Sequence, residues 1–340
     1  MKARKKLKVL VLVDTPGTPP TNQDFSQELK TADWETEAHV LEALKKLGHD
    51  ARMAGVYNEP GPILDEVKNY PPDVVFNLTE HFNDRSAYDR NVASLLEMLD
   101  LQYTGTGPTG LTLCKNKGMA KEILAYHRIR FPAFAIFPPG ATIRRPRRLS
   151  FPLFIKPLKE EASYGISQDS FVENDEAFEE RVRFIHERMK QEALVEEYIE
   201  GRELYVSILG NKRLRVFPFR EVVFSAVPEG RPRFSTFKAK WDENYRKRWG
   251  IQNIFAEPLP NGMTERIARI CKKVYRVLRI RGCGRIDLRV TAAGEIVVLE
   301  ANPNPNLARD DEFAQSAMKA GLNYEDLIQR ILGLALEPQN

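Results

Sequence analysis

GCGRIDLRVTAAGEIVVLEANPNPN, residues 282–306, is the stretch that decides the fold. β-Branched and apolar residues alternate on both sides of a short Ala-Ala-Gly turn, which predicts a two-stranded hairpin closed near Ala293. Period-two alternation places Arg285, Asp287 and Arg289 on one face of the first strand, and Glu300 and Asn302 on one face of the second. The hairpin then sets Asp287 close to Glu300. Two carboxylates side by side repel and destabilise a sheet, and a divalent cation removes that conflict. Two carboxylates beside an Asn carbonyl are an oxygen-only set, which suits Mg²⁺ or Mn²⁺ and not zinc. A surface hairpin whose acids pair with Arg285 and Arg289 remains the alternative.

At 340 residues the chain is too long for one ordinary core, so two or three domains are expected. With 42% apolar and 29% charged residues, the composition is that of a soluble globular protein. A formal charge of +4 favours anionic small molecules without demanding nucleic acid. Cys114, Cys271 and Cys283 are odd in number and lack metal-like spacing, which fits a reducing cytosol. The N-terminus MKARKKLKVLVLVD is basic and then apolar, but its apolar run stops at Asp14, too short for a signal core or a bilayer span. A cytoplasmic protein is expected.

Lys8 to Val13 reads as a buried parallel strand, followed by a helix from about Thr36 to Leu47 with an apolar stripe at Ala38, Leu41, Leu44 and Leu47. Strands at Asp50–Val56 and Asp73–Leu78 and a helix at Asn91–Leu99 complete a small open α/β unit ending near residue 110. A second unit starts with a helix around Lys117 to Tyr126 and contains strands at Ala133–Phe137, Leu153–Lys156 and Ala193–Tyr198, with a helix from about Asp175 to Gln191 before the last. The third unit has a strand at Glu203–Leu209, the hairpin, and two closing helices, Asp311–Ala320 and Tyr324–Leu334. The arginines at 144, 145, 147 and 148 lack interleaved aromatics, so a solvated loop is favoured over a nucleic-acid patch.

Three further segments carry chemistry. FPLFIKPLKEEASYGIS, residues 151–167, is a strand ending in Lys156, then a loop with Ser163 and Gly165. A lysine at the end of a buried strand is costly unless it meets an anion, and the loop offers N–H groups and a hydroxyl to phosphate oxygens. No Walker loop occurs in the chain. ALVEEYIEGRELYVSILG, residues 193–210, places Glu196 and Glu197 at one strand end and Glu203 at the next strand's start. Backbone groups from Glu196 to Ile199 suit the edge of a purine, and Glu203 suits ribose hydroxyls. FSTFKAKWDENY, residues 234–245, reads as a loop with the mixed aromatic and cationic character of a lid, or as an ordinary surface loop.

In order and spacing these segments resemble the ATP-grasp superfamily, and most closely its D-alanine–D-alanine ligase branch. The resemblance rests on YTGTG with NKGMAK at 103–121, IKP with the serine loop at 155–167, EEYIEGRE at 196–203, KAKW at 238–241, GRID at 284–287 and LEANPNP at 299–305. It implies a three-unit α/β (α+β) ATP-grasp architecture: a small N-terminal open α/β domain over 1–112, a central subdomain over 113–200 and a C-terminal subdomain with the metal site over 201–340. ATP would lie between two antiparallel sheets. By motif, the resemblance implies phosphate contacts from Lys117, Lys156 and Ser163, adenine contacts from Glu196, Tyr198 and Ile199, and a ribose contact from Glu203. It implies that Lys240 reaches the γ-phosphate, that Asp287, Glu300 and Asn302 ligate Mg²⁺ or Mn²⁺, with two ions in all, and that Arg285 stabilises the oxyanion.

The departures from that branch concern substrates. The loop after the first strand is DTPGTPPTNQD, not glycine-rich with a following Ser and Glu. Ala162 and Trp241 stand where Ser and Tyr are usual, and Pro303-Asn304-Pro305-Asn306 leads into Asp310, Asp311 and Glu312. Such acids repel a free carboxylate and attract a cationic amine. The expected activity is an ATP- and Mg²⁺-dependent carboxylate–amine ligase that forms an amide through an acyl phosphate. Its partners would be small amino-acid or peptide substrates, with no nucleic acid and no membrane; homodimers are common in proteins it resembles. A catalytically silent ATP-binding copy is the alternative. His81 is a candidate general base, or a residue that only organises its own loop.

Overall fold

The computed structural model describes residues 5–20, 23–160, 163–228 and 230–338. Three sheets form in chain order. The first is parallel, in the order β2-β1-β3, from β1 (Lys8–Asp14), β2 (Asp50–Val56) and β3 (Val74–Asn77). Val9 to Val13 are fully buried, as a strand covered by helices on both faces requires. The helices are α1 (Glu35–Lys46), α2 (Gly61–Asn69), α3 (Asp89–Met98) and α4 (Pro108–Lys115).

After α5 (Lys117–Tyr126), the second sheet is antiparallel, in the order β4-β7-β5-β6, from β4 (Phe134–Phe137), β5 (Leu153–Pro157), β6 (Phe171–Val172) and β7 (Ala193–Glu197), backed by α6 (Asp175–Arg188). The third sheet runs β11-β10-β8-β12-β13, with β9 on β8, all pairs antiparallel. Its strands are β8 (Arg202–Leu209), β9 (Arg215–Val216), β10 (Arg220–Phe224), β11 (Ile251–Phe255), β12 (Cys283–Val290) and β13 (Ile296–Pro303). The segment 234–245, read from sequence as a loop, instead runs into two short helices, α7 (Phe237–Trp241) and α8 (Glu243–Trp249). Thr236 and Asp242 cap them by accepting from Ala239 and Tyr245 N–H. α9 (Met263–Val277), α10 (Glu312–Lys319) and α11 (Tyr324–Ala335) complete the chain.

The first and last parts share one core. Val9, Val11 and Val13 of β1 and Val40 and Leu44 of α1 join Phe313 of α10 and Leu327, Ile328 and Ile331 of α11. That packing seats the C-terminal ends of the parallel strands against the segment after β13, where a substrate crevice is expected in an open α/β sheet. Besides α7 and α8, the elements α2, α4, α9, β6, β9, β10 and β11 are additions to those read from sequence.

Candidate active site

The hairpin forms as expected: β12 pairs with β13 antiparallel, and Asp287 lies opposite Glu300 and Arg285 opposite Asn302. One feature was not foreseen. The register slips at Asp287/Leu288, so that Leu288 faces Val298 and Leu299 is the extra residue. Val298 is a core residue. Strict alternation from it would have turned Glu300 into that core, and a bulge of one residue reverses the face. Leu299 therefore aims Glu300 and Asn302 at the site, and its carbonyl accepts from Lys121 Nζ at 3.3 Å.

A cavity of about 100 Å³ lies between the second and third sheets. It brings together Lys156, Ser163, Glu196, Tyr198, Ile199, Glu203, Lys240, Asp287 and Glu300. Lys117 and Asn302 line an adjoining cavity that shares Lys156, Ser163 and Glu300. Arg285 reaches the same place through Asp287. Its Nε and Nη2 donate to the Asp287 carboxylate at 2.8 and 3.0 Å, its Nη1 lies 3.5 Å from Glu312, and its plane stands 4.7 Å from the Tyr205 ring.

The charges are balanced but tense. Burial pushes the Asp287 carboxyl up, to about 6, against the pull of Arg285, and the charge of Glu300 adds to the rise. Burial also acts on Glu300, but Lys117, Lys156, Lys240 and Arg285 outweigh it and hold that carboxyl down to about 2. Asn302 Nδ2 donates to Asp287 at 3.0 Å, so the three groups converge on one point. Among the described residues no group of three or more His, Cys, Asp or Glu side chains is arranged for a metal. Two carboxylates and one amide nevertheless fit Mg²⁺, which keeps waters and completes its shell with phosphate oxygens. Part of the alternative reading also holds, since Asp287 pairs with Arg285; Arg289, however, pairs with Glu203 at 2.7 Å.

At the nucleotide end, Lys156 Nζ lies 2.9 Å from Glu196 Oε2 and Lys121 Nζ lies 2.6 Å from Glu196 Oε1. All three side chains are buried. Burial drives the Lys121 ammonium down, Lys156 adds to this, and Glu196 only partly compensates. Burial opposes the Glu196 charge as well, yet Lys121 and Lys156 together hold its carboxyl below the usual range. Lys121 was missed from the sequence, although it sits one helical turn after Lys117 in NKGMAK. Lys117 Nζ donates to the Glu160 carbonyl. The Tyr198 N–H is already donated to the Pro152 carbonyl and its hydroxyl to the Arg233 carbonyl, so its ring, beside Phe171 and Phe234, is what it offers a ligand. Of the substrate positions, Ala162 lies outside the described residues, Trp241 ends α7, and His81 stands 3.4 Å from Asp14, whose hydrogen bond raises its pKa.

The model of the family described as "D-ala D-ala ligase C-terminus" matches residues 139–333, more than half of the chain. An uncharacterized protein of Sinorhizobium fredii is 29% identical over 303 residues, 87% of this chain and 86% of that protein. A D-alanine–D-alanine ligase of Moorella thermoacetica is 27% identical over 341 residues, 98% and 100% of the two chains. The crystal structure of D-alanine–D-alanine ligase from Bacillus anthracis complexed with ATP superposes with a TM-score of 0.74 at 19% identity, covering 97% of each chain. Among the described residues no helix is long and apolar enough to cross a membrane.

Proposed function

The chain belongs to the D-alanine–D-alanine ligase family, and on that premise we propose that it is an ATP- and Mg²⁺- or Mn²⁺-dependent carboxylate–amine ligase. A substrate carboxylate oxygen attacks the γ-phosphorus of ATP, giving an acyl phosphate and ADP. An amine then attacks the acyl carbon, the C–O bond to phosphate breaks, and the products are an amide, inorganic phosphate and a proton. The observation that carries this reading is the convergence of Asp287, Glu300 and Asn302 on one point, with Lys117, Lys156 and Lys240 around Glu300. A cation held by the two carboxylates and, once the Asn302 amide turns its oxygen inward from the orientation in which Nδ2 donates to Asp287, by that oxygen too would neutralise the transferring phosphoryl group.

The chain's own residues have distinct tasks. Lys156, Lys117 and Ser163 hold phosphate oxygens, and Lys240 reaches the γ-phosphate from α7. Glu196, Tyr198 and Ile199 surround adenine, while Glu203 takes the ribose hydroxyls. Arg285, fixed on Asp287, keeps a full positive charge where the oxyanion develops. This reading divides the chain into units over 1–112, 113–200 and 201–340, each carrying one of the three sheets. A volume of about 100 Å³ is well below the roughly 300 Å³ at which ligand sites begin, so the lid segment with Phe234 and Lys240 opens to admit ATP. Nothing in the site favours a silent nucleotide-binding copy. The test is ADP release with Mg²⁺-ATP, with and without a mixture of amino acids and simple amines. Release that depends on the mixture supports the ligase; tight ATP binding without turnover refutes it.

A further inference from the structure

The largest cleft is not the nucleotide cavity. It measures about 980 Å³ and lies between the ends of β1 and β3, the start of α1 and the segment 304–311 that follows the metal-ligand strand. Eight of its lining residues are Asp or Glu and none is Lys or Arg among the described residues, in a chain whose net charge is +4. The acids come from separate elements: Asp14 ends β1, Glu35 and Glu37 open α1, Glu80 follows β3, and Asp310 and Asp311 precede α10.

These acids are not all satisfied by the protein. Glu37 Oε2 is shut off from solvent and has no hydrogen-bond partner. Burial pushes the Glu37 carboxyl up to about 7, with Glu80 and Asp14 adding to the rise and its own N–H opposing it. Asp311 rises to about 8 through burial and the adjacent Glu312, against Arg285. Among the described residues, His81 is the basic side chain in the lining and is paired there with Asp14, while Arg285, outside it, is engaged by Asp287 and Glu312. Trp34, Tyr57 and Phe82 add aromatic faces to the same wall, which suit a desolvated ammonium. A carboxylate ligand would find no Lys or Arg in this lining to pair with.

We propose that this cleft receives an amine substrate that carries a positive charge on a second nitrogen, of the diamine or polyamine class, and not an amino acid with a free carboxylate. The proposal rests on the ligase reading for the chemistry at the near end of the cleft, where Glu312 links Arg285 to Asp311. The distal ammonium sits between Glu37 and Asp311, while the reacting nitrogen, uncharged, faces the acyl carbon. Occupancy ionises the two raised carboxyls, so binding releases protons.

The experiment is calorimetric titration of the full chain at low salt with 1,4-diaminobutane, n-butylamine and D-alanine, in buffers of different ionisation enthalpy. The diamine is expected to bind at least tenfold more tightly than either other probe and to release about two protons near pH 7.5, one from the two carboxyls and one from the reacting nitrogen. Glu37→Gln and Asp311→Asn, the latter keeping the helix cap, should each weaken the diamine roughly tenfold. Should either variant melt far below the wild type, Glu80→Gln on the facing loop replaces it. D-alanine binding as tightly as the diamine, or diamine binding unchanged in the variants, overturns the proposal. ATP binding measured in parallel separates the two readings: its loss with diamine binding intact refutes the ligase alone, and the reverse refutes the cationic substrate alone.

Discussion

Glu196→Gln is the most informative perturbation of the interior. Glu196 is the shared counter-ion of two buried ammonium groups, at 2.6 Å from Lys121 and 2.9 Å from Lys156. Removing one member of a buried charge network costs about 3–5 kcal/mol, because the remaining charge is left unpaired. Here two lysines lose the same partner, so the upper half of that range is expected, a fall in melting temperature of about 5–10 °C. The sign with pH follows from linkage. Burial and Lys156 already depress Lys121 below an ordinary lysine, and losing Glu196 depresses it further. A lysine with a folded pKa below its unfolded value gains stability as pH rises between the two. The variant's deficit against wild type should therefore be smaller at pH 9.5 than at pH 7. Adding Lys121→Met removes one orphaned charge and should restore part of the loss. The assay is calorimetric or fluorescence melting of the wild type, both single variants and the double variant at the two pH values. A Glu196→Gln melting temperature within 1 °C of wild type, or a double variant no more stable than Glu196→Gln, refutes the shared-ion account.

Asp287→Asn and Glu300→Gln should each abolish turnover while the protein stays folded, which ADP release and circular dichroism check; near-wild-type activity at limiting Mg²⁺ would contradict the metal assignment. Lys156→Ala should weaken ATP binding more than adenosine binding, and Glu203→Gln should weaken both, by fluorescence titration of the two ligands; equal losses in the lysine variant would remove its phosphate role. Gly201→Ala should destabilise by about 2 kcal/mol or more, because φ is +152° there and an added Cβ would stand 2.3 Å from the Val290 carbonyl oxygen. Since Gly201 closes the turn that delivers Glu203, the same variant should also raise the Kd for adenosine.

Most elements with strong periodicity were legible; α9 was not read, although Met263, Ile267, Cys271 and Val274 recur at helical spacing. The hairpin, the Lys117–Tyr126 helix and the β1 strand needed only alternation, a 3.6-residue stripe or a continuous apolar run. Short elements were not. α7 spans five residues and α8 seven, too few for a periodic signal, although their caps Thr236 and Asp242 stood in plain view. α2 and α4 carried prolines in their first turns, Pro62 and Pro108, a start signal that went unused. Of the candidate site, the sequence pointed to most of the charged side chains that line it, Lys121 apart, but not to their partners. Arg289 meets Glu203 across 86 positions, and Lys121 of α5 meets Glu196 of β7. The bulge at Leu299 is invisible to strict alternation, because it is the break in that alternation. The acidic cleft was glimpsed only at residues 310–312; its other walls come from α1 and the ends of β1 and β3, which only the packing of α1 on α11 brings there.

The central claim is that a carboxylate is activated by phosphorylation before an amine attacks. The direct measurement is the fate of ¹⁸O from a mixture of carboxyl-labelled amino acids incubated with the protein, Mg²⁺-ATP and amines. An acyl phosphate that is cleaved by an amine hands one labelled oxygen to phosphate, so ¹⁸O should appear in the released phosphate in proportion to ADP formed. ADP formation with unlabelled phosphate would contradict the account, because ATP would then be hydrolysed by water without any carboxylate having been activated.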